Sequence, residues 1–374
     1  MWWTHLKNAS VESIVARVLY ELVRIPSPPG REKECALKFR EYAVRFGLNS
    51  WIDSTNSVYA TLPNAKRRAS ILLAGHIDTI EGFLEPRISG LAVHGRGAVD
   101  AKGPLVSMLL ALYALKEERV ECPVALAALS GEEGESAGAR NLVSKGSVPP
   151  YIIIGEPTNL TNVVIGYRGS VKVHITCAGK GGHPSSPWIG DSALDRLLEL
   201  VDALRRAFPG TSSKEVTFSI TRLVAGESTR SLPARAECYV DFRVPLGMSA
   251  RELVSRLLQE IGGLDRNCSM TFLSFEEPFY VKPQSLVPRS LVRGIIGLGM
   301  KPSLAIKAGT SDMNVLGPYA KSIAAYGPGD SRLAHSTCEE ISVNEVLKAA
   351  RVYLEAVRFL CKKAEEDIAV ELPV

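Results

Sequence analysis

Residues 95–103 read Gly-Arg-Gly-Ala-Val-Asp-Ala-Lys-Gly and lead into an apolar helical run, so Asp100 stands where a flexible turn meets a helix. A glycine-rich turn that opens a helix can cradle phosphate on its free N–H groups. The dinucleotide pattern, however, needs a third glycine where Asp100 stands, and a carboxylate there repels a pyrophosphate. A carboxylate held by flexible backbone suits a divalent cation instead, and its two oxygens allow it to bridge a pair of them. Further ligands must then come from elsewhere in the chain.

In open α/β sheets, sites lie at the carboxyl ends of strands, which is where ligand-type residues should be sought. Four apolar runs end in them. Ser70-Ile-Leu-Leu-Ala-Gly leads to His76-Ile77-Asp78, and Val124-Ala-Leu-Ala-Ala-Leu-Ser-Gly leads to Glu132-Glu133. Tyr151-Ile-Ile-Ile-Gly leads to Glu156, and Ser322-Ile-Ala-Ala-Tyr-Gly-Pro-Gly-Asp leads towards His335. In extended geometry His76 and Asp78, two apart, point to one face. Adjacent glutamates point in different directions, so one can ligate while the other faces substrate. Taken singly, a loop histidine caps something and two adjacent glutamates are solvated; together with Asp100 they read as a cation site.

Of 374 residues, 46% are hydrophobic and 22% charged, ordinary values for a soluble globular protein with room for two domains. A formal charge of +4 is too weak and too scattered for nucleic acid, though it permits an acidic partner. The Met1–Asn8 stretch lacks the order of a signal peptide, and no apolar run reaches ~18 residues, so no membrane span is expected. Cys35, Cys122, Cys177, Cys238, Cys268, Cys338 and Cys361 are odd in number and form no C-x-x-C pair, and read as reduced, mostly buried thiols of a cytoplasmic protein. Glutamine occurs only at Gln259 and Gln284 amid plentiful charge, a bias compatible with a hot-growing source.

Along the chain, Ile14, Val15, Val18, Leu19 and Leu22 recur at helical spacing behind Ser10 as N-cap, and a second amphipathic helix covers about 32–46. Leu105, Met108, Leu109, Leu112 and Leu115 form a core stripe in the helix after Asp100. From Tyr167 to Lys282 the pattern changes. Val171, Val173, Ile175 and Cys177 alternate with Lys172, His174 and Thr176, as in a half-exposed strand, and a β-α-β-β-α-β order follows. That order is a ferredoxin-like insert, with His183 on a glycine-rich turn where a structural role competes with a catalytic one. Gly309-Thr310-Ser311-Asp312 opens a helix, either as a plain N-cap or as a carboxylate-binding turn. Residues 344–364 form a last helix, before a tail that frays or pairs at an edge.

The order His76-x-Asp78, Gly-x-Gly-x-x-Asp100-x-Lys-Gly, Glu132-Glu133, Glu156-Pro157-Thr158, His183 in the insert and His335 resembles the M20 metallopeptidase and deacylase family, over nearly the whole chain. The resemblance implies an α/β catalytic domain with a mixed central sheet flanked by helices (1–166 and 283–374), interrupted by a ferredoxin-like lid and dimerisation domain (167–282). It implies two zinc ions, or cobalt: His76 and Glu156 on one, Glu133 and His335 on the other, Asp100 bridging. Asp78 would orient the ring of His76, Glu132 would be the general base, and His183 would reach across a homodimer to the oxyanion. It also implies a cis peptide after Asp100.

The run Gly-Arg-Gly-Ala-Val-Asp-Ala-Lys-Gly-Pro-Leu, with Tyr167-Arg-Gly-Ser and Lys307-Ala-Gly-Thr-Ser-Asp-Met-Asn, resembles the archaeal branch that frees lysine or ornithine from the acidic amino-group carrier LysW in lysine and arginine biosynthesis. Arg168, Arg243, Gly309, Thr310 and Ser311 are then candidates to grip carboxylates, with a structural Arg243–Asp241 pair as the competing reading. Many members carry Asn-x-x-Pro in the lid; here Arg230 takes the Asn position, so that hydrogen-bonding role does not carry over and the cation could meet an acidic substrate. Rival activities share the metal centre: deacetylation of N-acetylornithine, desuccinylation of succinyl-diaminopimelate, or cleavage of small peptides. A non-catalytic carrier-binding module is the reading from another class.

Overall fold

In the computed structural model, which describes residues 10–261, 266–363 and 368–374, the apolar runs Ile71–His76, Val124–Leu129, Tyr151–Gly155 and Ser322–Tyr326 are strands buried throughout. Burial on both faces suits parallel strands covered by helices. They pair in parallel, Ile71–His76 between Val124–Leu129 and Tyr151–Gly155, with Ser322–Tyr326 beyond the latter. Antiparallel strands extend the sheet, Val58–Thr61 and Asn49–Ile52 on one side and Asn162–Tyr167 on the other. The sheet is therefore mixed, and its four central strands share one carboxyl end.

Helix Val11–Val23 starts at Ser10, whose hydroxyl accepts the Ser13 N–H, and Lys33–Arg45 follows. Gly103–Glu117 is apolar nearly all round rather than on one stripe, and is buried accordingly. Contrary to the expectation of no apolar run long enough, the stretch Ala98–Glu117 is long and apolar enough in composition to cross a membrane, but 89% of its apolar window is buried inside the protein. It packs on the last helix, Val343–Cys361. The tail pairs at an edge, Val370 with Ala69 and Glu371 with Arg68. The Met1–Asn8 stretch and Ala364 lie outside the described residues.

The chain forms two compact units. The first runs up to Gly166 and resumes over Val281–Ile306 and from Ser311; the second comprises Tyr167–Tyr280 and Lys307–Thr310. Residues 307–310 thus group with the insert, because Lys307 accepts the Arg168 N–H at 3.2 Å and lays its ammonium over the Tyr167 ring. Within the second unit, strands Gly169–Ala178, Thr217–Ala225, Arg235–Val244 and Cys268–Glu276 and helices Ala193–Ala207 and Ala250–Ile261 follow the β-α-β-β-α-β order. The antiparallel sheet has the second, third, first and fourth strands side by side, which is the ferredoxin-like arrangement. Val171, Val173, Ile175, Val240 and Phe242 form its core with Leu197, Leu200 and Leu253 from the helices.

The reading of the cysteines as reduced is corrected. Cys122 bonds to Cys361 and Cys177 to Cys268, while Cys35, Cys238 and Cys338 are free. The first bond spans 239 residues, so spacing along the chain gave no hint of it. Disulfides do occur inside the cells of hyperthermophiles, so the two bonds do not by themselves fix a compartment. Loop-closure entropy for so long a span sets its contribution at about 5 kcal/mol at most. Cys122→Ser, or reduction, should lower the guanidinium midpoint accordingly; an unchanged midpoint, with no linked 122/361 peptide in a non-reducing digest, would sink the assignment.

Candidate metal centre

His76 is the last residue of its strand, Glu156 directly follows Tyr151–Gly155, and Glu132-Glu133 follow Val124–Leu129 across one tight turn. Because these strands are parallel, all four residues stand at one end of the sheet, the carboxyl end. His335 arrives from the loop after Ser322–Tyr326. Donor atoms of His76, Asp100 and Glu156 lie within 4.8 Å of one another, and so do those of Asp100, Glu133 and His335. These two triads share Asp100; His76, Glu132 and Glu133 form a third such group, which puts Glu132 against the ligands of both.

The two oxygens of Asp100 divide between the two imidazoles. Oδ1 is 3.2 Å from His76 Nε2 and Oδ2 is 3.4 Å from His335 Nε2, while His335 Nε2 is also 2.7 Å from Glu133 Oε1. The Asp100–Ala101 peptide is cis, as the family resemblance implied. The preceding glycines are required by geometry. Gly95 and Gly97 have φ of +136° and +84°, and a Cβ would stand 2.4 Å from Val23 Cγ1 in the first case and 2.5 Å from Thr79 Cγ2 in the second.

Asp78 is fully buried and does more than orient His76. Its oxygens accept the backbone N–H groups of Glu132 at 3.1 Å and Glu133 at 2.9 Å, fixing the turn that presents both glutamates. The ring of His76 is held by the Asp78 carbonyl, 3.0 Å from Nδ1, with the carboxylate 3.6 Å away. That carbonyl accepts only if Nδ1 carries the proton, which leaves Nε2 as the lone-pair donor facing Asp100.

Electrostatically the cluster is short of positive charge. Burial pushes Glu132 well above the usual carboxylate range, opposed by His76 and reinforced by Glu156, Asp312 and Glu133. Burial likewise pushes Asp312 up to about 7. Burial lowers His76, but hydrogen bonds donated by the ring to Asp100 and Asp78 outweigh it and leave the ring well above its ordinary value. Hydrogen bonds to Asp100 and Glu133 raise His335 to about 10. A divalent cation is what such a set of acceptors suits.

The remaining predicted residues are placed differently. Arg168 is buried in the second unit, where one guanidinium nitrogen donates to the carbonyls of Glu215 and Arg243 and to Thr217 Oγ1; in the structure it ties the start of Thr217–Ala225 to the end of Arg235–Val244. Arg243 pairs with Asp241 at 2.8 Å, the competing structural reading. Arg230 is exposed in the turn before Pro233. Gly309 and Thr310 belong to the second unit, and Ser311 to the first, where its hydroxyl caps Met313 in a capping box with Asn314. His183 is exposed on its turn, and its Nδ1 accepts the Ser185 N–H at 3.2 Å.

Sequence reasoning missed two buried acids and a lysine. Asp312 had been noted only as part of its turn, yet its carboxylate is buried near the ligands. Glu339 was indistinguishable from Glu340 beside it; its place two residues before the apolar Ile341, hence on the same face of an extended segment, is the signal that could have found it. Lys102 buries its ammonium on the carbonyls of Leu22 and Ile25, at 3.0 and 2.8 Å, anchoring the Asp100 loop to the first helix.

The model of Peptidase family M20/M25/M40 matches residues 72–358, and the chain belongs to this family of hydrolases. A LysW-lysine/LysW-ornithine hydrolase of Sulfurisphaera tokodaii is 38% identical over 351 residues, covering 93% of this chain and 96% of the relative. One from Saccharolobus solfataricus is 33% identical and covers 94% of this chain and 98% of the relative. Among solved structures, an M20 family metallo-carboxypeptidase from Sulfolobus solfataricus aligns with a TM-score of 0.80 at 18% identity, over 95% of this chain and 100% of that one. A dinuclear metal-binding M20 peptidase of Bacillus subtilis aligns at 0.69 with 15% identity, over 94% and 98%. These two likenesses concern the fold.

A pH dependence follows from His335. Its raised pKa means that its contacts stabilise the metal-free fold fully below pH 6.5 and lose that contribution as the pH climbs towards about 10. Ligation needs the neutral ring, so cation binding should release a proton and tighten with pH across the same window. Calorimetric titration of metal-free protein in buffers of differing ionisation enthalpy measures this release; pH-independent affinity without it would contradict the assignment.

Proposed function

We propose that this protein is a di-metal amidohydrolase that releases lysine or ornithine from the C-terminal glutamate side chain of the amino-group carrier LysW. The observation that carries the metal reading is the division of Asp100 between His76 and His335. Two triads with imidazole and carboxylate donors fit two zinc ions, with cobalt as an alternative, and three protein ligands per ion leave a coordination position open. The relatives' names and the residue runs quoted above support the substrate.

His76, Asp100 and Glu156 would hold one ion, and Asp100, Glu133 and His335 the other. When bound, such ions supply Lewis-acid activation of water and of the scissile carbonyl. Glu132, beside the ligands but outside both triads, takes the proton from the attacking water and passes it to the leaving amine. Asp78 keeps Glu132 and Glu133 in place through their amides. His183 accepts at Nδ1, so the neutral ring carries its proton on Nε2, a donor suited to the developing oxyanion. It would act across a homodimer, and Arg230, Gly309, Thr310 and Ser311 remain candidates for the substrate's carboxylates. The reading places the protein in the cytoplasm, with the acidic carrier as its partner.

Purified zinc- or cobalt-loaded protein should be offered carrier-linked lysine, carrier-linked ornithine, N-acetylornithine and succinyl-diaminopimelate, with mass-spectrometric detection. Release from the carrier alone is expected. Cleavage of only the small acylated amino acids would keep the metal chemistry and overturn the substrate. Glu132→Gln should retain both metal equivalents and lose roughly 10²–10⁴ in turnover, the usual worth of a general base. Carrier binding without turnover by the wild type would favour the binding module.

A further inference from the structure

Glu339 is 2% exposed and belongs to none of the candidate ligand sets. Its Oε1 accepts the backbone N–H of Val99 at 3.0 Å and of Asp100 itself at 3.2 Å, across 239 residues of sequence in the latter case. Its Oε2 faces Arg96 Nη1 at 2.9 Å, and the same nitrogen donates to the Ser336 carbonyl at 3.1 Å. The Glu339 carbonyl accepts the Gly95 N–H at 3.1 Å. The strand Glu340–Ser342 then pairs with Ala92–His94, just before the glycine turn.

Only three residues separate His335 from Glu339, so the segment that delivers one imidazole also grips the backbone of the bridging aspartate. An ionised carboxylate is an acceptor with two oxygens, and here each has an assigned donor: amides on one, guanidinium on the other. Such contacts fix the direction in which Asp100 leaves the main chain without touching its side chain. They also fix the distance between the Asp100 loop and the loop carrying His335, and need no cation to do so.

We infer that Glu339, locked by Arg96, is a positioning residue that presets the Asp100 carboxylate between the two metal positions and couples it to His335. The inference rests on the di-metal reading above. Outer-shell partners of metal ligands are typically worth 10–100-fold in metal affinity. Loss of Glu339 should therefore weaken occupancy of the position that needs Asp100 and His335 together, leaving the other less affected.

The test is calorimetric titration of metal-free full-length protein with Co(II), with the visible absorption of the bound ion and thermal unfolding followed in parallel. Wild-type protein should take up two equivalents. E339Q, which keeps an amide acceptor but loses the charge, should bind one equivalent near normally and the second 10–100-fold more weakly, with an altered cobalt spectrum. In the loaded enzyme kcat should fall while KM stays close to wild type. R96M, which leaves Glu339 its amides and removes only its counter-ion, should show a smaller loss of the same kind, and decides the matter if E339Q does not fold. Two equivalents bound with wild-type affinity and spectrum in the folded variants would overturn the inference alone. Fewer than two equivalents in wild type would overturn the di-metal reading, and this inference with it.

Discussion

Asp100 has to present two oxygens to two imidazoles from different parts of the chain, and much of the first unit serves that one carboxylate. The loop before it turns on Gly95 and Gly97 in conformations closed to other residues. Lys102 fastens the loop to the carbonyls ending the first helix, and Glu339 fastens its amides from the opposite side. Gly103–Glu117 then carries the chain into the core, where burial on all sides makes the start of the helix a fixed point. A flexible turn would give an exposed carboxylate many orientations; here the backbone around it is held from both sides.

Around Asp100 the fold gathers more acid than base. Asp78, Glu132, Glu133, Glu156 and Asp312 share the region with two histidines, and moving a carboxylate out of water costs several kcal/mol unless it is compensated. Asp78 is compensated locally, by two amides. For Glu132 and Asp312 burial outweighs the relief from His76 and, at Asp312, from Ser136, and both shift upward. A structure maximising stability would not assemble such a set, so the imbalance marks a place where cation binding offsets the cost. Burial pushes Glu339 up as well, but there the amides of Val99 and Asp100 and the Arg96 guanidinium oppose the shift from within the protein.

Strand-end logic made His76, Glu132, Glu133, Glu156 and His335 legible, because apolar runs followed directly by polar ligand types leave few places for those side chains to go. The ferredoxin-like insert was legible for a similar reason: Val171 to Cys177 alternate strictly, and period-two burial needs one covered face. Roles that depend on the third dimension were not. Arg168 has the chemistry of a carboxylate grip, but the start of one strand and the end of another converge on one of its guanidinium nitrogens. The Cys122–Cys361 bond joins residues that share no local pattern.

The insertion point itself has a physical basis. Val281 N–H donates to Ile165 at 2.9 Å, so the chain leaves the first unit and re-enters it side by side, and the sheet can be interrupted without being deformed. The consequence is a discontinuous site: His76, Asp100, Glu132, Glu133 and Glu156 precede the insert, whereas Asp312, His335 and Glu339 follow it. Chain connectivity does not hold these halves together, since 114 or so residues of insert lie between them, by the size of the gap from Tyr167 to Tyr280. Packing must do so. Gly103–Glu117 lies against Val343–Cys361, pairing one helix from each half beside the sheet. Cys122, just ahead of the strand that leads to Glu132, is bonded to Cys361 at the far end of that second helix. The covalent tie therefore closes the amino end of the sheet, and the contacts among Asp100, Glu339 and His335 close the carboxyl end. With both ends fixed, the two halves cannot slide past one another without breaking either the bond or the site.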